Sequence, residues 1–259
     1  MPKFAANLTM MFTEVPFLDR FDKAAEAGFA AVEFLFPYDF APEDIAERLT
    51  RNNLTQALFN MPPGDWANGE RGFAALPERF EDLKASVDKA LTYAEATGVK
   101  RLHLMAGIGD GNDPALWAQY RRSIEFVAPK LAENGLDLVL EPINPRGVPG
   151  YFLNDFNKTE ALINELQIAN VKLQYDIFHR QILHGDVVVS LRRLMPVIGH
   201  IQIASVPSRN EPDGEELNFP YLFAQIDRLG YQGFVVCEYN PRGLTEHGLD
   251  WFQPWKRKG

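Results

Sequence analysis

The stretch Leu136-Asp137-Leu138-Val139-Leu140-Glu141-Pro142-Ile143-Asn144 decides how the chain is read. Leu136, Leu138, Val139 and Leu140 form the short apolar run of a parallel strand covered on both faces. Pro142 ends it, because proline has no N–H to give to a strand ladder. Glu141 is thereby left at the strand's C-terminal end. A carboxylate there is expensive to bury unless it binds a cation or moves protons. The rest of the chain is read for the partners of Glu141.

The same unit recurs on both sides. Strands are predicted at 4–8, 31–35, 54–59, 99–105, 136–140, 171–175, 198–203 and 233–237. Helices are predicted at 17–27, 42–52, 78–97, 114–134, 155–166, 186–194 and 221–229. Glycines at 28 and 135 and prolines at 42 and 114 punctuate them. Trp251, Phe252 and Trp255 can close the chain as a helix or turn. Eight strands alternating with helices, without a composition break, predict one α/β domain over residues 1–259, a (β/α)8 TIM barrel. A doubly wound sheet is the alternative. Its first strand–helix turn normally carries a glycine fingerprint, whereas Thr9-Met10-Met11-Phe12-Thr13 has no glycine. The connection at 61–77 is longer than usual and can cover a site.

Composition removes several classes of function. A formal net charge of −9 argues against a nucleic-acid partner, which wants a basic stripe. The basic tail Lys256-Arg257-Lys258 is too short to reverse that and reads as solvated. No stretch is long and apolar enough to span a membrane, and the N-terminal residues lack a secretory pattern. One cysteine, Cys237, excludes an internal disulfide and a multi-cysteine zinc site. A cytoplasmic enzyme with a small-molecule substrate fits, and a homo-oligomer is compatible.

Active sites of such barrels gather at the C-terminal strand ends. Four successive late strands end in oxygen ligands: Glu141, Asp176, Gln202 and Glu238. Three carboxylates at one mouth repel unless a cation sits among them. An all-oxygen set with one amide suits Mg²⁺ or Mn²⁺. Ion pairing with arginines is the competing explanation for these acids. A metal so held lowers the energy of an enediolate, and Glu141 and Glu238 can move the carbon-bound proton. Acid–base help of this kind contributes roughly 10²–10⁴-fold. The expectation is isomerase or epimerase chemistry beside a carbonyl. His179, His103, Arg209, Glu33 and Asn60 are candidate substrate contacts. His103 can face either the mouth or the core, and Glu33 and Asn60 can act indirectly. Lys84 and Arg71 add charge of undetermined direction. Cys237 is turned away from the face that Glu238 uses and reads as packed. Gly107, Gly109 and Gly111 do not have dinucleotide-binding spacing.

Phe4-Ala5-Ala6-Asn7-Leu8, Glu33-Phe34-Leu35-Phe36-Pro37-Tyr38, Phe59-Asn60-Met61-Pro62-Pro63-Gly64-Asp65, Glu141-Pro142-Ile143-Asn144-Pro145-Arg146, Gln174-Tyr175-Asp176, His200-Ile201-Gln202 and Glu238-Tyr239-Asn240-Pro241-Arg242-Gly243 together resemble the hydroxypyruvate isomerase family of xylose-isomerase-like barrels. The likeness runs from Phe4 to Phe252. It implies interconversion of hydroxypyruvate and tartronate semialdehyde, through a metal-stabilised enediolate. A close branch acts on four-carbon 2-oxo-tetronates. A ketose 3-epimerase and a sugar-acid-binding regulatory barrel are the competing readings. By position the resemblance implies Glu141 and Glu238 as catalytic. It also implies Glu141, Asp176, Gln202 and Glu238 as metal ligands, with His179 and Arg209 on the substrate. The family's Arg-His-Glu-Pro loop departs here, with Asn210 in place of the histidine.

Overall fold

Short, doubly covered apolar runs have one low-energy arrangement, a parallel sheet whose crossovers are helices. The computed structural model, which describes residues 1–256, has nine strand segments. They are β1 (Lys3–Asn7), β2 (Ala31–Glu33), β3 (Thr55–Gln56), β4 (Phe59–Asn60), β5 (Arg101–His103), β6 (Asp137–Leu140), β7 (Val171–Asp176), β8 (Ile198–Ile203) and β9 (Phe234–Cys237). Of the basic tail, Arg257 and Lys258 lie outside the described residues.

Every pairing is parallel, in the order β3-β2-β1-β9-β8-β7-β6-β5-β4. The two ends of that order, β3 and β4, are pieces of one predicted strand. Ala57 N donates to Val32 O at 2.8 Å, on the β2 side, and Met61 N to His103 O at 2.9 Å, on the β5 side. The sheet therefore closes on itself through a broken third stave, and the barrel expected from the sequence is the fold. Between β3 and β4 the Leu58 carbonyl accepts from Gln56 Nε2 at 2.6 Å.

The helices are α1 (Arg20–Glu26), α2 (Pro42–Arg51), α3 (Phe80–Thr97), α4 (Pro114–Glu133), α5 (Phe156–Leu166), α6 (Ile177–Leu183), α7 (Val187–Leu194) and α8 (Phe219–Arg228). Several starts are capped by side chains. Asp113 accepts from Ala115 N, Asp155 from Asn157 N and Lys158 N, and Asn218 from Tyr221 N. One helix, α6, was not anticipated. The sequence after Asp176 reads as a loop because the helix is a short buried piece without amphipathic repeat: Ile177, Phe178, His179 and Arg180 are all buried. Asp176 starts it by accepting from Phe178 N at 2.7 Å.

Two cores result. The larger lies between barrel and helices, and the smaller fills the barrel's lower interior with Ala5, Ala31, Ala57 and Val236. On β1, β2 and β9 the next inward residues are Asn7, Glu33 and, one step past the strand, Glu238. Small side chains below thus give way to a polar tier above. The C-terminal segment, two 3₁₀ turns at Thr245–Gly248 and Asp250–Trp255, closes one side. There Phe252 stacks on Phe29 at 4.2 Å, and Trp251 and Trp255 meet Phe4 edge-on. Cys237 is buried as expected.

Candidate active site

The C-terminal strand ends enclose a cavity of about 210 Å³. Asn60, His103, Glu141, His179, Arg209 and Glu238 reach it from the barrel. Met10, Leu35, Met105, Ile143 and Val148 make its apolar wall. Trp66 and Arg71 reach it from the long loop, whose direction the sequence left open.

Glu141 and Asp176 are both buried. Asp176 uses Oδ1 as the cap of α6, so only Oδ2 is left to face the site. Glu141 Oε1 and Asp176 Oδ2 have no hydrogen-bond partner among the described residues. Glu238 is tied by Oε2 to Arg209 Nη2 at 2.5 Å, and Arg209 Nη2 lies 3.7 Å from Asp176 Oδ2. One guanidinium therefore serves two of three crowded carboxylates. Burial raises all three above the usual carboxylate range. For Glu141 the charges of Glu238 and Asp176 add to burial, whereas for Asp176 and Glu238 Arg209 opposes it.

Arg209 holds its place at a cost. Its backbone is left-handed, φ 56°, in a loop pinned by Arg209 N to Ser205 O at 3.0 Å and Asn240 N to Arg209 O at 2.9 Å. Its guanidinium lies over the Phe178 ring at 4.9 Å. Asn210 is occupied with the same loop, its Nδ2 donating to Asn240 O at 2.7 Å. It is not among the residues that line the cavity.

The two histidines at the mouth are neutral. Burial drives His103 down to about 3 and His179 well below the ordinary histidine value, with the Arg209 charge adding to burial at His179. Their approaches to Glu141, 3.7 Å from His103 Nδ1 and 3.9 Å from His179 Nε2, are therefore not ion pairs. The tautomer of His179 follows from its neighbour. Asn144 N can only donate, and it points at Nδ1 from 3.1 Å, with Asn144 Nδ2 at 2.6 Å. Nδ1 is the acceptor, so the ring proton sits on Nε2. That N–H lies 3.5 Å from Asp176 Oδ2.

Below this layer, Glu33 and Gln202 point inward but do not line the cavity. Glu33 Oε1 accepts from Gln202 Nε2 at 2.7 Å and Asn7 Nδ2 at 3.0 Å, and Oε2 meets His200 Nε2 at 2.5 Å. Burial, opposed by Gln202 and Asn7, pushes Glu33 up to about 8. Gln202 Oε1 is taken by Gln174 Nε2 at 2.7 Å. Asn7 Nδ2 also reaches Glu238 Oε1 at 3.3 Å and so links the two tiers. Asn60 Oδ1 lies 3.2 Å from His103 Nδ1. Asn7 and Asn144 escaped the sequence reading. Neither carries the charge that singles out Glu141: Asn7 is the last residue of β1, and Asn144 lies in the loop after β6.

The site can hold a cation. One ligand atom from each of Glu141, Asp176 and His179 lies within 4.8 Å of the others, and two carboxylate oxygens there lack donors. A hard divalent ion matches the oxygens. His179 fits less well as a ligand, because its Nε2 carries the proton.

Comparison with known proteins agrees with this fold. Residues 21–255 match the family model "Xylose isomerase-like TIM barrel". The chain is 51% identical to a 2-oxo-tetronate isomerase of Cupriavidus necator, over 98% of this chain and 99% of the relative. It is 40% identical to the hydroxypyruvate isomerase of Escherichia coli, over 99% and 100%. A crystal structure from Brucella melitensis, described as AP endonuclease, family 2, superposes with a TM-score of 0.97 at 50% identity, covering 99% and 100% of the two chains. A barrel closed through a broken third stave, with buried acids at its late strand ends and relatives that match from end to end, belongs to the hydroxypyruvate isomerase and 2-oxo-tetronate isomerase family of xylose isomerase-like TIM barrels.

Proposed function

We propose that the chain is a sugar-acid isomerase whose substrate is a four-carbon 2-oxo-tetronate. The observation that carries the chemistry is the convergence of Glu141 and Glu238 on one cavity that also receives a neutral histidine N–H, with Asp176 behind them beside His179 and Arg209, all three acids buried and raised in pKa. The four-carbon choice is supported by three relatives named 2-oxo-tetronate isomerase, at 51, 45 and 43% identity. Hydroxypyruvate is the second reading, favoured by the Escherichia coli relative at 40%.

The reaction moves one proton between neighbouring carbons while carbonyl and hydroxyl exchange places. A carboxylate removes the proton from the hydroxyl-bearing carbon, and the electron pair passes into an enediolate. A carboxylic acid then protonates the former carbonyl carbon, and a proton passes between the two oxygens. Glu238, held toward its ionised form by Arg209, is the better base. Glu141, with no cation at hydrogen-bond distance among the described residues, is the better acid. His179 Nε2–H is a donor for the oxygen on which charge develops, and a neutral donor there does not quench the base. Glu141, Asp176 and Glu238 would hold a divalent metal, Mg²⁺ or Mn²⁺. Gln202 joins them if its carbonyl oxygen leaves Gln174. Such an ion supplies Lewis acidity toward a carbonyl oxygen.

The test offers the purified protein a 2-oxo-tetronate and hydroxypyruvate with Mg²⁺ or Mn²⁺, and follows products by NMR. Higher kcat/KM on the four-carbon acid is expected. Glu141→Gln and Glu238→Gln should each lose roughly 10²–10⁴-fold in turnover with unchanged circular dichroism. Near-normal turnover in both variants removes the role assignment. Faster turnover of hydroxypyruvate returns the substrate to three carbons.

A further inference from the structure

We infer that Arg71 is the receptor for the substrate's carboxylate. The inference rests on the acid-substrate reading above and extends it to a group that the late strand ends do not supply. An acid entering this cavity meets Glu238, which repels it when ionised, so a cation must receive its carboxylate. The cavity is lined by two arginines. Arg209 already balances Glu238 and Asp176 through Nη2, although its buried Nε has no hydrogen-bond partner among the described residues. Arg71 has no carboxylate partner within 4.0 Å among the described residues. What holds it is its own loop: Nη1 donates to Trp66 O at 3.0 Å and Glu70 O at 2.7 Å. Its guanidinium lies over the Trp66 ring at 3.9 Å.

That arrangement consumes the Nη1 protons and leaves Nε and Nη2 without a hydrogen-bond partner among the described residues. These two N–H groups form the side-on edge that grips a carboxylate in bidentate fashion. The edge is also preorganised. Trp66 packs on Phe36 at 4.9 Å, and the residue after Arg71, Gly72, is bridged to Ala106. Little side-chain entropy remains to be lost when the acid binds. The lid loop thus reads the charged end of the substrate while the barrel floor works on the carbonyl end.

The test uses the full-length protein and two substrate pairs. Each pair is a 2-oxo acid and the ketone in which a hydroxymethyl group replaces the carboxylate, for example hydroxypyruvate and dihydroxyacetone. Arg71→Met keeps the aliphatic cover on Trp66 and removes the fork. It should raise KM for the acids about 10–100-fold, the loss expected for charge-assisted hydrogen bonds. It should leave kcat within about threefold and kcat/KM for the ketones unchanged. Arg71→Lys should recover part of the loss. Binding of D-glycerate, which has no carbonyl to isomerise, is measured in parallel by calorimetry with the same metal present. The wild type should bind it and Arg71→Met should lose about 10–100-fold. An unchanged KM for the acids, equal losses on acids and ketones, or unchanged glycerate affinity would overturn the assignment. If the wild type turns over neither acid but binds glycerate through Arg71, the isomerase reading fails and the carboxylate receptor stands. If the wild type neither turns over an acid nor binds glycerate, both fail.

Discussion

At the scale of single residues, the site works by sharing its few charged and polar atoms among fixed partners. Asp176 divides its carboxylate, one oxygen capping α6 and the other left without a hydrogen-bond partner among the described residues, 3.5 Å from His179 Nε2. Asn144 spends its backbone N–H on His179 and so decides which ring nitrogen carries the proton. A direct check is nitrogen NMR of histidine-labelled protein at neutral pH. His179 should appear as the neutral Nε2–H tautomer and stay neutral as the pH falls through the ordinary histidine range, because burial lowers its pKa well below that range. A His179 resonance that titrates between pH 6 and 7 would contradict the donor role. These details were partly legible beforehand. Glu141, Asp176 and Glu238 were singled out as strand-end acids, because a charge there needs a reason. Asn144 was not, since an amide in a loop carries no such penalty. Arg71 could be named from the sequence but not aimed, because its direction depends on a loop stacking on its own tryptophan.

Among the elements, the loop between β4 and α3 is fastened to the chain after β5 by the Gly72–Ala106 bridge and by Ala75 N donating to Ala106 O at 2.8 Å. Gly72 has φ +87°, and a methyl group added there would lie 2.3 Å from the Met105 side chain and 2.3 Å from its carbonyl oxygen. Backbone cannot retreat as a side-chain tip can. Gly72→Ala should therefore cost about 1–3 kcal/mol in unfolding free energy and raise KM, by shifting Trp66 and Arg71. Thermal unfolding and steady-state kinetics check this together, and an unchanged melting temperature would show that the loop is free to relocate. The helix α6 teaches the opposite lesson about legibility. Strands and long helices announce themselves by periodicity, whereas α6 is seven residues with a largely buried first half. No solvent face alternates with a core face, so pattern reading has nothing to register. Yet α6 is the element that sets His179 one turn after Asp176. The split of the third stave was equally hidden, because 54–59 has the composition of one continuous strand.

For the molecule as a whole, the barrel concentrates buried acid, and stability must follow pH accordingly. Glu33 is pushed up to about 8 from 4.5, with burial as the leading cause. Between those values the folded chain keeps a proton that the unfolded chain has released. Raising the pH through that window destabilises the fold by about 1.4 kcal/mol per unit, and the loss ends near the folded pKa. The raised Glu141, Asp176 and Glu238 act in the same direction. A divalent ion binds the deprotonated carboxylates, so its stabilisation must grow with pH. Denaturant unfolding in chelator and in Mg²⁺ or Mn²⁺, at pH 5 and pH 8, should show a larger metal effect at pH 8. In chelator, Glu33→Gln should flatten the pH slope. Equal metal effects at the two pH values would refute the carboxylate cage. No helix among the described residues is long and apolar enough to cross a membrane, as composition implied.

The amino-acid order alone determined the barrel and the acids at its mouth. Strand periodicity, the prolines that stop strands and the cost of burying a carboxylate are local properties, written within a few residues. Tertiary structure decided the rest: which tautomer His179 adopts, which carboxylate Arg209 serves, that Gln202 turns to Glu33 and Gln174, and where Arg71 points. Each of these depends on a partner distant in the chain or on a loop's exact path, and hydrogen bonds between such groups exist only once the strands have closed.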